Sequence, residues 1–439
     1  MSMPSPARLA SGHDPFAERG ADFRTRALAS RRKVRFTHGT MSTQDAVLVT
    51  LAGPDRPGIT AEIARLIGEA NAELLDVEQA VVQSHLSLNF LIVLPPENQT
   101  LLKDLLWKAR ELGVGVDFEV VPAAARSAAP ARTQSWAVTL VHPHLGATVL
   151  SSAATAAARH GFNIDKIHRL SSSTLSSLEL ILGGDSKADP VSLRTELLQL
   201  QSVHGCDVAL QREGLMRRSK RLVVMDMDST LIQQEVIDEL ARAVGVYDEV
   251  AAVTHRAMNG ELPFDEALRE RVKLLAGAPA SILTEVLEQI ELTPGAERLV
   301  RVLKRLGYRL AVISGGFIQV TEPIRARLGL DYGFANTLEI VDGKLTGRVT
   351  GPIINRQRKA DLLESLAQTE RISLDQVIAI GDGANDLDML ARAGLGIAFR
   401  AKRIVQQQAK YALNQQNLDA VLYLLGLHDE EVRELASLT

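Results

Sequence analysis

The sequence predicts two small α+β units of order βαββαβ, followed by an α/β domain with a Rossmann-like parallel sheet and a small helical cap. Three observations predict this fold class. The chain has 439 residues, enough for two to four domains. Its first half repeats one order of strands and helices. Its second half contains three apolar runs that end in polar residues, which is typical of strands buried in a parallel sheet.

The composition is that of a globular protein without a general attraction for nucleic acid. The formal net charge is −4, and hydrophobic residues make up 46% of the chain. The single cysteine, Cys206, cannot form an intramolecular disulfide, and we expect a buried apolar side chain there. We find no apolar run long enough to span a bilayer and no secretory signal. These features favour a cytoplasmic protein without nucleic-acid or membrane partners.

Residues 1–43 are expected to form a disordered N-terminal tail. The first 40 residues contain eight Lys or Arg and three Asp or Glu, and they lack apolar periodicity. A targeting peptide is an open alternative, although such peptides avoid acidic residues, and Met41 is an alternative start. None of these interpretations bears on the chemistry.

The first α+β unit is predicted at residues 44–122. A strand-like run is followed by the loop Asp55-Arg56-Pro57-Gly58 and then by apolar residues at helical spacing. The predicted elements are a strand at 46–51, a helix at 60–70, strands within 77–94, a helix at 100–112 and a strand at 116–121.

The second unit, predicted at residues 135–213, repeats this order after an Ala/Pro/Ser-rich linker. Aligning Gly146 with Gly58 gives a repeat period of 146 − 58 = 88 residues, which indicates a duplicated module. The predicted elements are a strand at 136–141, a helix at 147–160, strands near 164–170 and 175–182, and a helix at 190–201.

The duplicated module resembles ACT domains over residues 44–213, chiefly through the loop at 55–58 and through Asn71 beyond the first helix. The resemblance implies that a small amino acid, expected to be serine, binds at an interface near Gly58 and Asn71. It also implies a homodimer. The second copy lacks the Asp-Arg pair, so its ability to bind a ligand is an open question. Tight strand-to-helix turns are the alternative explanation for Gly58 and Gly146.

The residues that carry chemistry follow the three apolar runs of the second half, at 222–225, 309–313 and 377–380. The carboxyl ends of parallel strands meet at one edge of a sheet, where open α/β folds bind ligands. We therefore expect one site there. Its candidate residues are Asp226, Asp228, Ser314, Gly315, Asp382, Asn385 and Asp386, together with Lys359 at the start of a predicted helix.

This set fits the hydrolysis of a phosphate monoester, which is very slow without a catalyst. A carboxylate nucleophile and a phosphate dianion repel each other. We expect Mg²⁺ to cancel that repulsion, held by Asp226, Asp228 and Asp382 with one carbonyl oxygen among its ligands. The expected donors to the phosphoryl oxygens are Ser314, the amides of Gly315 and Gly316, Lys359 and Asn385.

The set resembles the haloacid dehalogenase-like phosphatases over about residues 220–426. The catalytic residues that this resemblance implies are the nucleophile Asp226, the general acid/base Asp228 and Lys359, with Asp386 in a supporting role. Lys359 is preferred to Arg356 and Arg358 because of its place at the helix start.

The interval between Asp226 and Ser314 is 314 − 226 = 88 residues, far more than a simple strand-helix-strand unit needs. The excess, at about 235–292, is predicted to be a helical cap over the site. Its segments 258–264 and 268–272 resemble the phosphoserine phosphatase branch of the family. The substrate-binding residues that this implies are Glu235 for the ammonium group, Arg271 for the carboxylate, and Met258 and Phe264, for which helix packing is the alternative.

The favoured function is therefore hydrolysis of O-phosphoserine to serine through an aspartyl-phosphate, under control by an amino acid. Two alternatives stay open. One is another small-metabolite phosphatase or phosphotransferase, for example acting on homoserine, and the other is a regulatory binding protein with an inert core. A basic cluster at Arg217, Arg218, Lys220 and Arg221 is interpreted as a solvated linker.

Overall fold

The computed structural model describes residues 45–96, 100–127, 133–172 and 175–437. The chain divides into two compact units, at residues 1–129 and 130–439. The tail expected at 1–43 lies outside the described residues. In the described part of the chain, no helix has both the length and the hydrophobicity needed to cross a membrane.

The first unit contains a four-stranded antiparallel sheet and has the predicted order of elements. They are β1 (Ala46–Pro54), α1 (Ile59–Glu69), β2 (Glu73–Val82), β3 (His85–Val93), α2 (Leu101–Leu112), β4 (Gly115–Val121) and the short α3 (Ala123–Ser127). The strands lie in the order β2-β3-β1-β4. Ile59, Ile63 and Ile67 recur every fourth residue, so they share one side of α1. That side joins a core cluster with strand residues such as Phe90.

The second unit begins with a similar fold, in the strand order β6-β7-β5-β8. Its elements are β5 (Gln134–His142), α4 (Ala147–Arg159), β6 (Phe162–Ser172), β7 (Ser176–Gly184), α5 (Pro190–His204) and β8 (Asp207–Arg212). Val141, Leu170 and Ala209 of this fold belong to the same buried cluster as Met225 of the catalytic sheet. The second α+β fold and the catalytic domain therefore share a hydrophobic core.

The catalytic domain is built on a seven-stranded sheet in the order β12-β11-β10-β9-β13-β14-β15. The strands are β9 (Leu222–Met225), β10 (Arg309–Phe317), β11 (Tyr332–Val341), β12 (Lys344–Thr350), β13 (Val377–Gly381), β14 (Leu395–Phe399) and β15 (Tyr411–Leu413). Every pairing is parallel except that of β11 with β12. The first strand, β9, lies between β10 and β13. The chain thus reverses its direction of winding beside β9, which is where such sheets bind ligands.

Besides one short π-helix and three short 3-10 helices, the described residues beyond the second α+β fold form twelve α-helices. They are α6 (Leu215–Arg218), α7 (Val236–Val244), α8 (Tyr247–Met258), α9 (Phe264–Leu274), α10 (Ile282–Gln289), α11 (Ala296–Arg305), α12 (Ile318–Leu328), α13 (Arg356–Thr369), α14 (Leu387–Arg392), α15 (Arg403–Gln408), α16 (Val421–Leu424) and α17 (Asp429–Ser437). Helices α7 to α10 lie between β9 and β10 and form the cap. Several elements of this half were not predicted individually from the sequence, among them β12, which is short and polar, and α17, whose one buried residue is Val432.

The interpretation of the basic cluster as a solvated linker is wrong for two of its members. Arg217 is 5% exposed and Lys220 is 6% exposed. Arg217 forms ion pairs with Glu179 of β7 and with Glu213. Glu179 is distant in sequence and comes close only in the folded chain, so the local run of positive charge gave no sign of it. These side chains are part of the junction between the second α+β fold and the catalytic domain.

Candidate active site

The structure brings the ends of β9, β10 and β13 to one edge of the sheet. Met225 pairs in register with Val312 on one side and with Ile380 on the other. Asp226, Ser314 and Asp382 follow these positions by one or two residues, so all three reach the same edge. The parallel alignment therefore assembles the residues that the sequence predicts as a site.

Lys359 and Asp226 form the centre of this edge. Lys359 is fully buried, and its Nζ lies 2.7 Å from Oδ2 of Asp226 and 2.8 Å from Oδ1 of Asp386. The backbone amide of Met227 donates to Oδ1 of Asp226 at 2.7 Å. Burial raises the pKa of Asp226 well above its ordinary value, Asp386 adds to this, and Lys359 opposes it. Burial alone would lower the pKa of Lys359, but the two carboxylates raise it and keep the lysine charged.

Asp386 supports this pair. Its Oδ1 binds Lys359, and its Oδ2 accepts a hydrogen bond of 3.0 Å from the amide of Gly383. A side chain at Gly381 would place its Cβ 2.5 Å from Cγ of Asp386, so the strand can approach this closely only with glycine there. Asn385 lies nearby and is half-buried.

Asp228 connects the end of β9 with β10 and with the cap. Its Oδ2 accepts a hydrogen bond of 3.0 Å from Ser314 Oγ, and its Oδ1 accepts one of 2.8 Å from the amide of Val236 at the start of α7. The hydroxyl of Ser314 in turn accepts a bond of 2.8 Å from the amide of Gly316. Burial raises the pKa of Asp228, and these hydrogen bonds lower it in part. A buried carboxyl of this kind holds its proton more readily than one in water.

Three carboxylates of the site could hold a cation. Among the described residues, Asp226, Asp382 and Asp386 offer oxygens that all lie within 4.8 Å of one another. Burial and the neighbouring Asp386 raise the pKa of Asp382 to about 6. With Asp228, four carboxylates surround the single positive charge of Lys359. Hard oxygen ligands with excess negative charge are what a small divalent cation requires, so the donor set fits such an ion.

The side chain of Asp228 is not part of that cluster. Both of its oxygens are bound by Ser314 and Val236. If Asp228 is a metal ligand, its backbone carbonyl is the group left to coordinate. Asp386 is close enough to be a ligand, and its oxygens also bind Lys359 and the amide of Gly383.

Glu235 and Arg271 of the cap face the catalytic acids. Glu235 Oε1 accepts a bond of 2.7 Å from Ser229 Oγ. The glutamate lines the open site, where water reaches it, yet the surrounding protein and Asp228 raise its pKa to about 7. Burial lowers the pKa of Arg271, whereas the charges of Glu235, Asp238 and Asp228 raise it. Arg271 Nε donates to a carbonyl of its own helix, and within the described residues no carboxylate forms an ion pair with it.

Phe264 and Met258 differ in their placement. The ring of Phe264 covers Gly315, since a Cβ at that glycine would lie 3.2 Å from Cζ of the ring. Phe264 therefore reaches the site edge from the cap. Met258 is 61% exposed, and its sulfur lies 3.6 Å from Nζ of Lys402. Among the described residues, no hydrogen bond joins Met258 to a predicted catalytic residue.

Two hydroxyl residues of the site were missed in the sequence. Thr230 Oγ1 donates to Oδ1 of Asp382 at 2.9 Å, and Ser229 binds Glu235. Ser229 has a positive φ of 55°, which is unusual for a residue other than glycine. Their position directly after the Asp226–Asp228 pair was the available signal, because hydroxyl groups beside clustered acids can orient them.

The two glycine loops of the α+β folds are not equivalent. Gly58 has φ 96°, a left-handed conformation that favours glycine, whereas Gly146 has φ −93° and ψ 168° and is extended. Arg56 donates to the carbonyl of Leu112 at the end of α2, so it stabilises that helix terminus. Asn71 lies beyond the other end of α1, thirteen residues from Gly58 and so roughly 20 Å along the helix.

Comparison with known protein families agrees with this architecture. Residues 223–391 match the family model of haloacid dehalogenase-like hydrolases, and residues 45–119 and 135–211 match two ACT-domain models. The fold and the site thus define a haloacid dehalogenase-like hydrolase with two N-terminal ACT domains, which confirms the predicted fold class.

Individual relatives narrow the family further. The chain is 45% identical to the phosphoserine phosphatase of Streptomyces coelicolor, over 88% of this chain and 93% of that protein. It is 41% identical to the phosphoserine phosphatase of Mycobacterium tuberculosis, over 89% and 96%. A crystal structure of a probable phosphoserine phosphatase from Vibrio cholerae shares 35% identity with a TM-score of 0.54, over 70% of this chain and 91% of that one. The chain belongs to the phosphoserine phosphatase family.

Proposed function

We propose that the protein hydrolyses O-phospho-L-serine to L-serine and phosphate, the last step of serine biosynthesis, through an aspartyl-phosphate on Asp226. One observation carries this proposal. The buried Asp226–Lys359 pair lies beneath a cap that presents Arg271, which has no ion pair in the described chain, beside Glu235. A phosphoamino acid has a phosphate for the first pair and a carboxylate and an ammonium group for the second.

Asp226 is held ready to attack. Met227 N binds one carboxylate oxygen and Lys359 Nζ binds the other, so the carboxylate cannot rotate freely. The attacking oxygen forms a bond to phosphorus while the bond from phosphorus to the serine oxygen breaks. Asp228 donates its proton to the leaving serine oxygen and then accepts a proton from the water that hydrolyses the acyl phosphate. Burial of Asp228 favours the protonated form that the first step needs.

The divalent cation is proposed to be Mg²⁺, with Asp226, Asp382 and the Asp228 carbonyl as its protein ligands. When bound, it would reduce the repulsion between the nucleophile and the phosphate dianion. Asp386 is assigned to hold Lys359, which it contacts at 2.8 Å.

The remaining residues are proposed to bind the substrate. When substrate binds, the hydroxyl of Ser314 and the amide of Gly316 would exchange their present acceptors for phosphoryl oxygens, and the amide of Gly315 and the side chain of Asn385 add further donors. Phe264 closes the site above Gly315. The assignment of Met258 as a substrate contact has weaker support, since its side chain is mostly exposed.

We further propose that free L-serine or another small amino acid regulates the enzyme at the first ACT domain. Gly58 and Asn71 lie at opposite ends of α1. One small ligand can therefore contact both only where two modules meet, and this supports a homodimer with two-fold symmetry. The positive φ of Gly58 favours the first module over the second as the binding site.

A panel of phosphorylated metabolites tests the proposal. Phosphate release is measured for O-phospho-L-serine, O-phosphohomoserine, phosphoethanolamine and p-nitrophenyl phosphate, with Mg²⁺ and after chelation. We expect the highest kcat/KM on O-phospho-L-serine and no turnover after chelation. Higher kcat/KM on O-phosphohomoserine would favour the alternative phosphatase, and no release from any ester would favour an inert core.

A further inference from the structure

Asn355 occupies the N-terminus of α13, the helix that carries Lys359. Its Oδ1 accepts a hydrogen bond of 3.1 Å from the amide of Arg358, and its carbonyl accepts one of 2.9 Å from the amide of Lys359. The Asn355 side chain thus satisfies one of the free N–H groups at the helix start, and its carbonyl accepts the first hydrogen bond within the helix. The first turn of α13, and with it the origin of the Lys359 side chain, is fixed by this residue.

The amide nitrogen of the same side chain faces the cap. Nδ2 of Asn355 lies 3.1 Å from Oδ1 and 3.4 Å from Oδ2 of Asp265, in the first turn of α9. The preceding residue is Phe264, whose ring covers Gly315. Two adjacent cap residues therefore contact the catalytic core at different places, one at the phosphate-binding loop and one at the lysine helix.

A second asparagine ties these two places together beneath the cap. Asn336 of β11 is 2% exposed. Its Nδ2 donates to the carbonyl of Gly315, and its Oδ1 accepts from the amide of Ile354, each at 2.8 Å. An asparagine side chain can donate and accept at once, and both asparagines use both abilities here. Hydrogen bonds therefore run from Gly315 through Asn336 to Ile354, and the peptide bond from Ile354 to Asn355 connects them to the Asn355–Asp265 bond.

The outer bond of this chain differs from the inner ones. Asn336 and Lys359 are buried, whereas Asn355 and Asp265 are half-buried at the seam between cap and core. The outer bond is made to a carboxylate, so it is stronger than one between neutral groups. It is nevertheless reversible, because water at the seam between cap and core can replace either partner. The Asp265–Asn355 bond can therefore break and form as the cap moves, while the inner bonds stay in place.

We propose that Asn355 is a positioning residue that couples the docked position of the cap, through Asp265, to the placement of Lys359. This inference rests on the proposed phosphatase function, in which Lys359 orients the nucleophile. Docking of the cap on the substrate and alignment of Lys359 then occur together, because the side chain of Asn355 bonds both to the cap and to the first turn of the lysine helix. No atom of Asn355 touches the reacting groups.

An exchange of the two side chains tests the coupling. Asn355→Asp keeps an oxygen for the Arg358 amide but sets two carboxylates against each other. We expect kcat on O-phospho-L-serine to fall about tenfold, the loss that one hydrogen bond to a charged group produces. Adding Asp265→Asn restores a donor and an acceptor in reverse order, and kcat should return to within about twofold of the original. A double variant as slow as Asn355→Asp alone would overturn the proposal.

Two comparisons separate coupling from a general defect. Asn355→Ser keeps a capping oxygen but cannot reach Asp265, so it should match Asp265→Ala in kcat. p-Nitrophenyl phosphate has no amino-acid group to dock the cap. On this ester, kcat of both variants should stay within about twofold of that of the original chain, a smaller loss than removal of one hydrogen bond to a charged group would cause. Equal losses on both esters would contradict a role for the cap contact.

A readout without substrate keeps the coupling distinct from the proposed function. Hydrogen exchange of the first hydrogen-bonded amides of α9, beginning with Ala267, should accelerate in Asn355→Asp and return to the original rate in the double variant. If the original chain failed to hydrolyse O-phospho-L-serine, the proposed function would fall, and this measurement would still decide the Asp265–Asn355 contact. Unchanged exchange in Asn355→Asp would overturn the contact itself.

Discussion

Asp207, the first residue of β8 in the second ACT domain, accepts a hydrogen bond of 2.8 Å from the backbone amide of Asn414, which directly follows the last strand of the catalytic sheet. The carboxylate is 1% exposed. It accepts three further bonds, from the side chains of Asn414, Gln415 and Gln201. The second ACT domain is therefore fastened to the catalytic domain by buried polar groups as well as by a shared apolar core.

This junction predicts where the chain can be shortened. A protein that begins at residue 130 keeps Asp207 and the Arg217 ion pairs, so it should fold and hydrolyse O-phospho-L-serine but lose the response to serine. A protein that begins at Arg217 lacks Glu179 and Asp207 and exposes the apolar cluster that includes Met225. We expect it to be insoluble or to melt at a much lower temperature. Serine inhibition of the first protein as strong as that of the full chain would exclude the first ACT domain and place the effect at the second ACT domain or at the active site.

The same carboxylate predicts a dependence of stability on pH. Burial raises the pKa of Asp207 to about 6 from its ordinary 3.8. The folded chain binds this proton more tightly than the unfolded chain, so the stabilisation is complete below about pH 4 and is lost as the pH rises through 6. An asparagine does not titrate. We therefore compare the free energy of unfolding of the original chain with that of Asp207→Asn at each pH. The original chain should lose about 3 kcal/mol relative to the variant between pH 4 and pH 7.

Urea denaturation of both proteins across that range measures the difference. Asp248→Asn, at an exposed position of the cap, is the matched control and should show no such trend. A constant difference between the original chain and Asp207→Asn would mean that Asp207 is ionised throughout.

Replacement of the nucleophile is expected to stop turnover without unfolding the chain. Asp226→Asn removes the attacking oxygen, and Lys359 keeps its bond of 2.8 Å to Asp386. We expect kcat to fall by about 10⁴-fold or more, as for other nucleophiles. Asp386→Asn should cost less, about 10- to 100-fold, because Lys359 then retains Asp226. Circular dichroism checks that both variants are folded, and substantial phosphate release by folded Asp226→Asn would contradict the mechanism.

Arg271 is expected to select the carboxylate of the substrate. Arg271→Ala should lower kcat/KM on O-phospho-L-serine. The corresponding loss of transition-state stabilisation should be roughly 2–5 kcal/mol, as expected when a buried charged contact is removed. Phosphoethanolamine has the ammonium group without the carboxylate, and its turnover should be spared. The control is Arg269→Ala, two residues earlier on the same helix and exposed. Equal losses on the two esters would argue that Arg271 supports the cap and does not bind the substrate.

The two glycine loops offer a matched pair for the regulatory site. Gly58→Val should abolish the effect of serine on initial rates, a coupling of about 1–3 kcal/mol, with catalysis retained. The valine would have to adopt the left-handed backbone of Gly58, and we expect this to destabilise the first unit by about 1–3 kcal/mol. Gly146→Val, at an extended glycine with open space around it, should change neither. Calorimetric titration with serine follows binding directly, and loss of binding in Gly146→Val alone would assign the site to the second module.

The sequence was sufficient for the fold class, the family and the assembly of the strand ends. Asp226, Ser314 and Asp382 could be grouped because each follows an apolar run, and the geometry of parallel strands brings such ends together. The glycine loop that ends at Gly58 and the helical cap were also recognisable from local patterns. The catalytic and ligand-binding roles of these residues stay predictions.

Contacts between distant segments could not be predicted in the same way. Asn355 and Asp265 are 90 residues apart, and Arg217 and Glu179 are 38 apart. Neither pair has a local signature, since an asparagine before a helix or an arginine in a basic run has many possible partners. Only the packing of the cap and of the second ACT domain selects the partner that is used.

The central position of β9 has a consequence for how the chain is made on the ribosome. Its four buried residues pair with Arg309 to Val312 on one side and with Val377 to Ile380 on the other. Both partners are translated later, one after the whole cap and the other after α13. During synthesis, the strand that precedes the nucleophile therefore remains unpaired on both edges, with its apolar side chains exposed, until β10 and β13 have been made. Such a segment is prone to wrong pairing with other chains. We expect nascent chains that stop between the cap and β13 to depend on chaperones more than the finished enzyme does.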